Sequence, residues 1–367
     1  MLLWTPHLFE KAGIQRKYDI PYIARLIDYG NQLSQRNLPV IFSLKHFSRL
    51  TDINYSYLRA VIDRTEYPYK TFKIRKKTEG FRRISVPDSR LLVIQQWLHK
   101  HILSKIQPHF SSTAFNPGCS IMRNAQPHCG ANWLIKIDIE NFFDSISERQ
   151  VYTQFKALGY SKYLCFCFAR LSTRLASREA KKYKKPRWQN KRHQYPEFIG
   201  NLPQGAPTSP ILANLVCRQL DAQIHQLIQP MGLIYTRYAD DIVISGNALT
   251  RKDASKLIQE ISKILNRSGF QKNSLKTRIL SPGARKIVTG LNVNGPNPTI
   301  PKKLKYSIRA ELHYAKVFGV AEHCKKLGYH KIDGFRNQIR GKIDFVRSVN
   351  PKLADKFYAQ LDDINWP

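Results

Sequence analysis

Two apolar runs in this chain stop on bare aspartates, and that pairing constrains the fold more than any other feature. "NWLIKIDIENFFDSI" runs through β-forming residues to Asp138. "LIYTRYADDIVISGN", Leu233 to Asn247, reads as two short strands flanking Asp240-Asp241. In "YADDIVIS" the strand flanks can be buried while the turn projects the carboxylates outward. A solvated acidic turn is the plain alternative. Carboxylates this close repel one another unless a cation sits between them. Two Mg²⁺ ions bridged by carboxylates are the usual solution where one phosphate oxygen displaces another.

Charge makes the acidic pair more conspicuous. The 367 residues hold 60 Lys+Arg against 26 Asp+Glu, a formal net charge of +34. Such a field implies a polyanionic partner, with nucleic acid the default. An anionic membrane is the weaker reading, because the basic residues are spread over the chain rather than gathered on one amphipathic helix. No apolar run is long enough to span a bilayer, and "MLLWTPHLFEKAG" lacks the features of a signal peptide. The six cysteines form no CxxC pair, which suggests reduced thiols and a cytoplasmic protein; a zinc site from Cys119, His128 and Cys129 is the weaker reading.

Along the chain, residues 1–68 are expected to be helical. "YKTFKIRKKTEGFRRISVP" reads as a hairpin turning at Thr78-Glu79-Gly80, with Phe72 and Ile74 on one face and basic residues on the other. A helix capped by Asp88 or Ser89 follows. The run ending at Asp138 is expected to enter a helix near Asn141, with a further helix over roughly 148–171. Arg174 to Arg192 carries nine Lys/Arg against Glu179 alone and reads as an exposed basic insertion. "NLPQGAPTSP" is a loop leading into a helix, Thr250 caps a helix ending at Gly269, and "VTGLNV" is a short strand. From Lys302 to Lys352 there are thirteen Lys/Arg and four acids, on helices with apolar stripes at Leu304, Ile308, Leu312 and at Ile332, Phe335, Ile339, Ile343, Val346.

Five stretches in order resemble the motifs of reverse transcriptases: "FRRISVP…LLVIQQWL", "LIKIDIENFFDSI", "NLPQGAPTSP", "YADD" and "NSLKTRIL". The likeness covers roughly residues 70–295. "RNAQPHCG" resembles the NAxxH element, and "KIVTGLNVN" the VTG element, of bacterial retron reverse transcriptases. The resemblance implies an α+β right-hand polymerase fold with fingers, an antiparallel-sheet palm and a helical thumb. Its boundaries would be a helical extension over 1–68, fingers and palm over 69–285 with the basic insertion at about 174–193, and a thumb over 286–367.

It also implies site roles. Asp138, Asp240 and Asp241 would be catalytic and hold two Mg²⁺, with the Ile139 carbonyl as a further ligand. Arg82 and Lys77 (or Lys76) would meet the triphosphate of a dNTP. Gln204 and Gly205 would approach its sugar and base. Phe143 would exclude a ribose 2′-hydroxyl, and Lys276 would serve the pyrophosphate. Asn124, His128, Tyr238, Thr289, Gly290, Lys302, Lys303, Arg309, Arg336 and Arg340 would serve nucleic-acid binding; for His128 a structural role is the other reading.

The implied function is RNA-directed DNA synthesis on a cognate structured non-coding RNA, primed by a guanosine 2′-hydroxyl and giving branched single-stranded DNA. Bacterial anti-phage defence with an effector protein encoded alongside is the expected setting, and template removal would fall to a host RNase H. Another bacterial reverse transcriptase (group II intron-like, diversity-generating or abortive-infection type) or an RNA-binding scaffold for an effector are the alternatives.

Overall fold

A computed structural model describes residues 4–75, 80–175, 199–329 and 331–366. Lys76 and Lys77, the hairpin turn at Thr78-Glu79, and nearly all of the basic insertion lie outside the described residues.

Four helices open the chain: α1 (Pro6–Gln15), α2 (Ile20–Gln35), α3 (Leu44–Thr51) and α4 (Tyr55–Ile62). The basic alternation then forms β1 (Tyr69–Arg75) and β2 (Phe81–Pro87), paired antiparallel with Phe72 opposite Ile84 and Ile74 opposite Arg82. Phe72 and Ile74 are both exposed. Asp88 caps α5 (Ser89–His101), its side chain accepting from the Leu91 amide.

A four-stranded antiparallel sheet organises the middle of the chain in the order β4-β5-β3-β6. It comprises β3 (Trp133–Ile139), β4 (Ile234–Tyr238), β5 (Asp241–Gly246) and β6 (Lys272–Leu280). Side-chain alternation gives the sheet two different faces. Ile135, Ile137, Ile139, Ile242 and Ile244 enter one large core with α2–α5, α7 (Glu148–Ala157), α8 (Lys162–Ser172), α9 (Ser209–Val216), α10 (Arg218–Ile228) and α11 (Arg251–Arg267). Leu134 and Val243, on the other face, join a second core with the C-terminal helices. The same face continues through Lys136 to Asp138 and Asp241 at the rim.

Three local expectations are corrected. Residues 140–146 are turns rather than a helix, with Asn141 at φ 48°. The helix over 148–171 is broken into α7 and α8, because Gly159 takes φ 99° and Ser161 caps a fresh start. "VTGLNV" is a tiny hairpin, β7 (Ile287–Val288) and β8 (Leu291–Asn292), turning at Thr289-Gly290. Thr250 caps α11 as expected, in a capping box with Asp253. Beyond α6 (Ile121–Ala125), the remaining helices are α12 (Lys302–Val317), α13 (Val320–Lys326), α14 (Ile332–Arg347) and α15 (Pro351–Asp362). Ile308, Leu312, Phe335, Ile339, Ile343 and Val346 are buried, so both apolar stripes face inward. Among the described residues no helix is long and apolar enough to cross a membrane.

Candidate active site

The antiparallel register sets Asp138 directly opposite Asp241. Ala239, at φ 57°, makes the tight turn that brings Asp240 to the same rim, and the Ile139 amide donates to the Asp240 carbonyl at 2.9 Å. Burial is the largest cause raising the Asp240 carboxyl above its ordinary range, with the charge of Asp138 next. Asp241 is raised as well; burial again leads, and Lys136 opposes it. Two cations answer this acidic rim. Lys136 Nζ lies 3.2 Å from Asp241 Oδ2, and Lys276 Nζ lies 3.1 and 3.0 Å from the two Asp138 oxygens.

Lys276 reaches Asp138 through a bulge. The β3–β6 pairing passes from Lys136–Arg278 to Asp138–Asn273, so Ser274–Thr277 stand opposite Ile137 alone. The Asn273 side chain organises the excursion by accepting from the Leu275 and Lys276 amides at 3.1 and 3.3 Å. Bulges commonly re-aim a side chain at a working site, and this one aims Lys276.

Beneath the turn lies a buried ion pair that the sequence reading missed. Arg237 donates from Nε and Nη2 to the two oxygens of Asp221, both at 2.7 Å, and both side chains are fully buried. Arg237 Nη1 also donates to the Ala239 carbonyl at 3.0 Å and to Asn214 Oδ1 at 3.2 Å. Burial works against the guanidinium charge, but Asp221 beside it prevails and holds Arg237 above its ordinary value.

Two of the nucleotide-side candidates, Gln204 and Gly205, lie against the second strand, which carries Arg82. The Ser85 amide donates to the Gln204 carbonyl at 2.8 Å, which lays the Gln204–Gly205 loop along β2. Gly205 has φ 115°, and a Cβ there would stand 3.0 Å from the Ser85 carbonyl oxygen, so glycine is required. Arg82 is exposed on the same strand. Phe143 is half-buried, edge-on to the buried Phe142 at 5.4 Å. Tyr238 is half-buried next to the acidic turn.

Asn124 and His128 face the interior instead. His128 is fully buried, with Nδ1 2.7 Å from Ser245 Oγ and Nε2 2.7 Å from Thr236 Oγ1. It bridges β5 and β4 and has neither ring nitrogen left for nucleic acid or zinc. Asn124 accepts from Thr113 at 2.7 Å and donates to Thr289 at 3.5 Å, which ties the NAxxH stretch to the VTG turn. Of that turn Gly290 is exposed, with Phe345 packed close behind it. Lys302, Lys303, Arg309 and Arg340 are exposed on α12 and α14, whereas Arg336 is partly covered and lies 5.2 Å over the Trp366 ring.

Burial pushes the His128 imidazole down from 6.5 to about 4. The native state therefore holds His128 neutral while the unfolded chain takes up a proton more readily, so stability is lost as pH falls from 6.5 toward 4. The loss should approach about 3 kcal/mol across that window. Urea unfolding at a series of pH values checks it: His128→Gln should flatten this part of the acid limb, and an unchanged slope would remove the assignment.

The sequence pattern described as "Reverse transcriptase (RNA-dependent DNA polymerase)" matches residues 74–330. The chain is 32% identical over 341 residues to the Retron Ec86 reverse transcriptase of Escherichia coli, covering 92% of this chain and 94% of that one. The chain belongs to the retron reverse transcriptase family. The Escherichia coli Retron Ec73 reverse transcriptase is 31% identical, with 83% and 90% of the two chains covered. The Retron Mx162 reverse transcriptase of Myxococcus xanthus is 28% identical, covering 81% of this chain and 61% of that longer one. The protein is therefore an RNA-directed DNA polymerase with the right-hand polymerase fold, its antiparallel sheet forming the palm. Enzymes of this family generally use divalent metal ions. Among the described residues no group of three His, Cys, Asp or Glu side chains is arranged to hold a metal ion. The donor chemistry nonetheless fits such ions. Hard oxygen ligands crowd one rim, and magnesium sites typically take one or two carboxylates and complete their shell with substrate phosphates.

Proposed function

We propose that this enzyme copies part of a dedicated structured RNA into DNA, starting from an internal guanosine 2′-hydroxyl and leaving a branched RNA–DNA product. The observation carrying the retron-type reading is the 32% identity to the Retron Ec86 reverse transcriptase across 92% of the chain. Asp138, Asp240 and Asp241, with the Ile139 carbonyl, are the groups that would hold two Mg²⁺. Bound there, such ions would supply activation of the attacking hydroxyl and charge stabilisation of the pyrophosphate leaving group. Arg82 binds the triphosphate of the dNTP. Lys276 leaves Asp138 and supplies charge or a proton to the pyrophosphate. Phe143 closes the space a 2′-hydroxyl would need. The exposed cations of α12 and α14 grip RNA phosphates and the nascent duplex, and the VTG turn helps to seat the folded RNA. The setting is the bacterial cytoplasm, in an anti-phage system with an effector protein, and host RNase H removes template.

An internal 2′-hydroxyl is flanked by chain on both sides, so it reacts only if the folded RNA is held with that oxygen at the carboxylate rim. Positioning of this kind can replace roughly 7–11 kcal/mol of barrier in the best intramolecular cases. The product made on the copurifying RNA should therefore shift in gel mobility after RNase and debranching enzyme. Arg340→Glu should lower branched product more than extension of a preannealed DNA primer. A product resistant to debranching would leave an unspecified bacterial reverse transcriptase, and equal losses on both substrates would mean Arg340 holds only generic duplex.

A further inference from the structure

Phe115 sits in an irregular loop outside every motif discussed so far, in a backbone conformation that aromatic residues avoid. Its φ is 67°, and it is the one aromatic among the eight non-glycine residues with positive φ in the described residues. A left-handed conformation is costly for a bulky side chain and persists where the surroundings enforce it. They do so here from both sides. The Thr113 amide donates to the Arg237 carbonyl at 2.9 Å, and the Arg237 amide donates to the Ser111 carbonyl at 2.8 Å, which docks the loop on the strand edge that leads into the acidic turn. Asn214 then donates to the Ala114 carbonyl at 2.7 Å, and Ala114 is fully buried.

This scaffolding holds a ring that is 42% exposed. The Phe115 ring lies 6.2 Å from Phe143 and 6.5 Å from Tyr238, centroid to centroid. Phe143 is five residues past Asp138, and Tyr238 is two before Asp240. A ring at this spot therefore spans the gap between the two carboxylate-bearing segments. Phe142, which meets Phe143 at 5.4 Å, is itself stacked on Phe270 at 5.8 Å.

We propose that Phe115 is a positioning residue that fixes the Phe143 ring against the sugar of the incoming nucleotide and so sets deoxyribose selectivity. The proposal rests on the reading of Phe143 as the sugar gate. A gate excludes a 2′-hydroxyl only while its ring cannot swing aside, and the Phe115 ring, 6.2 Å away, limits that freedom. The sequence keeps phenylalanine here at a conformational cost, with Asn116 and Gly118 close by to show that more permissive residues suit this loop.

The experiment measures kcat/KM for each of a dNTP and the matching rNTP on a primed RNA template, with melting temperature alongside, for Phe115→Ala, Phe115→Gly, Phe115→Tyr, Phe143→Ala and the Phe115→Ala/Phe143→Ala double variant. Phe115→Ala and Phe115→Gly should lower the dNTP/rNTP ratio on the order of tenfold, through a rise in the ribonucleotide value. Phe115→Tyr should retain the ratio. Phe115→Gly, relieved of the left-handed strain, should melt no lower than the parent, which separates the selectivity effect from loss of fold. The double variant should match Phe143→Ala alone. If Phe143→Ala lowers the ratio and neither small residue at 115 does, the gate stands and the proposal falls. If the two effects multiply, Phe115 acts independently of Phe143 and the proposal falls. If Phe143→Ala leaves the ratio unchanged, the gate reading fails first and the proposal goes with it, whatever Phe115 does.

Discussion

Asp240→Asn combined with Asp241→Asn is expected to cut dNTP incorporation on an RNA template on the order of 10³-fold or more, because it removes two hard anionic ligands from the rim where charge must be managed in the transition state. RNA binding should survive. Removing two negative charges takes the formal net charge from +34 to +36, so the phosphate-binding field is if anything stronger. A second readout does not depend on turnover. Burial and neighbouring carboxylates raise both acids, so in the absence of divalent ions their ionised forms work against the folded state. The sign is fixed by linkage. A carboxylate with a raised native pKa costs stability once pH exceeds that value, and the cost fades as pH falls toward the ordinary carboxylate range. The double asparagine variant should accordingly melt higher than the parent at neutral pH in chelator, and gain less from added Mg²⁺. Parent-level extension by the variant would end the catalytic assignment. An unchanged response to Mg²⁺ would end the metal-holding one.

That rim was legible because its signals are local. An apolar run ending on a charged residue fixes both a strand and its exit, and "YADD" between two such runs leaves only a tight turn. Caps were legible for the same reason: Asp88 and Thr250 satisfy amides three residues away. What escaped was set by partners distant in sequence or by side chains acting on the backbone. The bulge that delivers Lys276 depends on Asn273 accepting from two amides, and in one dimension "NSLKTRIL" is simply a strand. Lys136 reads as the polar member of an alternating strand until pairing with β5 brings it to Asp241. His128 illustrates a different limit. Its neighbours in sequence are compatible with an exposed or a buried ring, and only Ser245 and Thr236, more than a hundred residues on, decide between them. The break between α7 and α8 was within reach, since Gly159 and Ser161 are stop and start signals, but apolar residues on both sides masked it.

The buried pair under the acidic turn gives the second large effect. Asp221→Ala is expected to destabilise the protein by about 3–5 kcal/mol, because it strands the Arg237 guanidinium in the interior without its bidentate partner. Tyr235, whose hydroxyl donates to Asp221 at 2.6 Å, loses its acceptor as well. A stability loss of that size would lower activity for trivial reasons, so the informative variant replaces both charges. Asp221→Leu with Arg237→Met fills similar volume with apolar atoms, and swaps of this kind are often neutral or stabilising in a buried site. Urea unfolding should show most of the stability restored. Activity should not follow. Arg237 Nη1 is the donor that holds the Ala239 carbonyl, and Ala239 occupies the left-handed position on which the placement of Asp240 depends. With that donor gone, the turn has less to hold its strained residue, and misplacing a reacting group by about 1 Å can cost on the order of 10²-fold in rate. A double variant that recovers both stability and incorporation would reduce the pair to a packing element. One that recovers stability alone would make it the support that keeps the carboxylates in register.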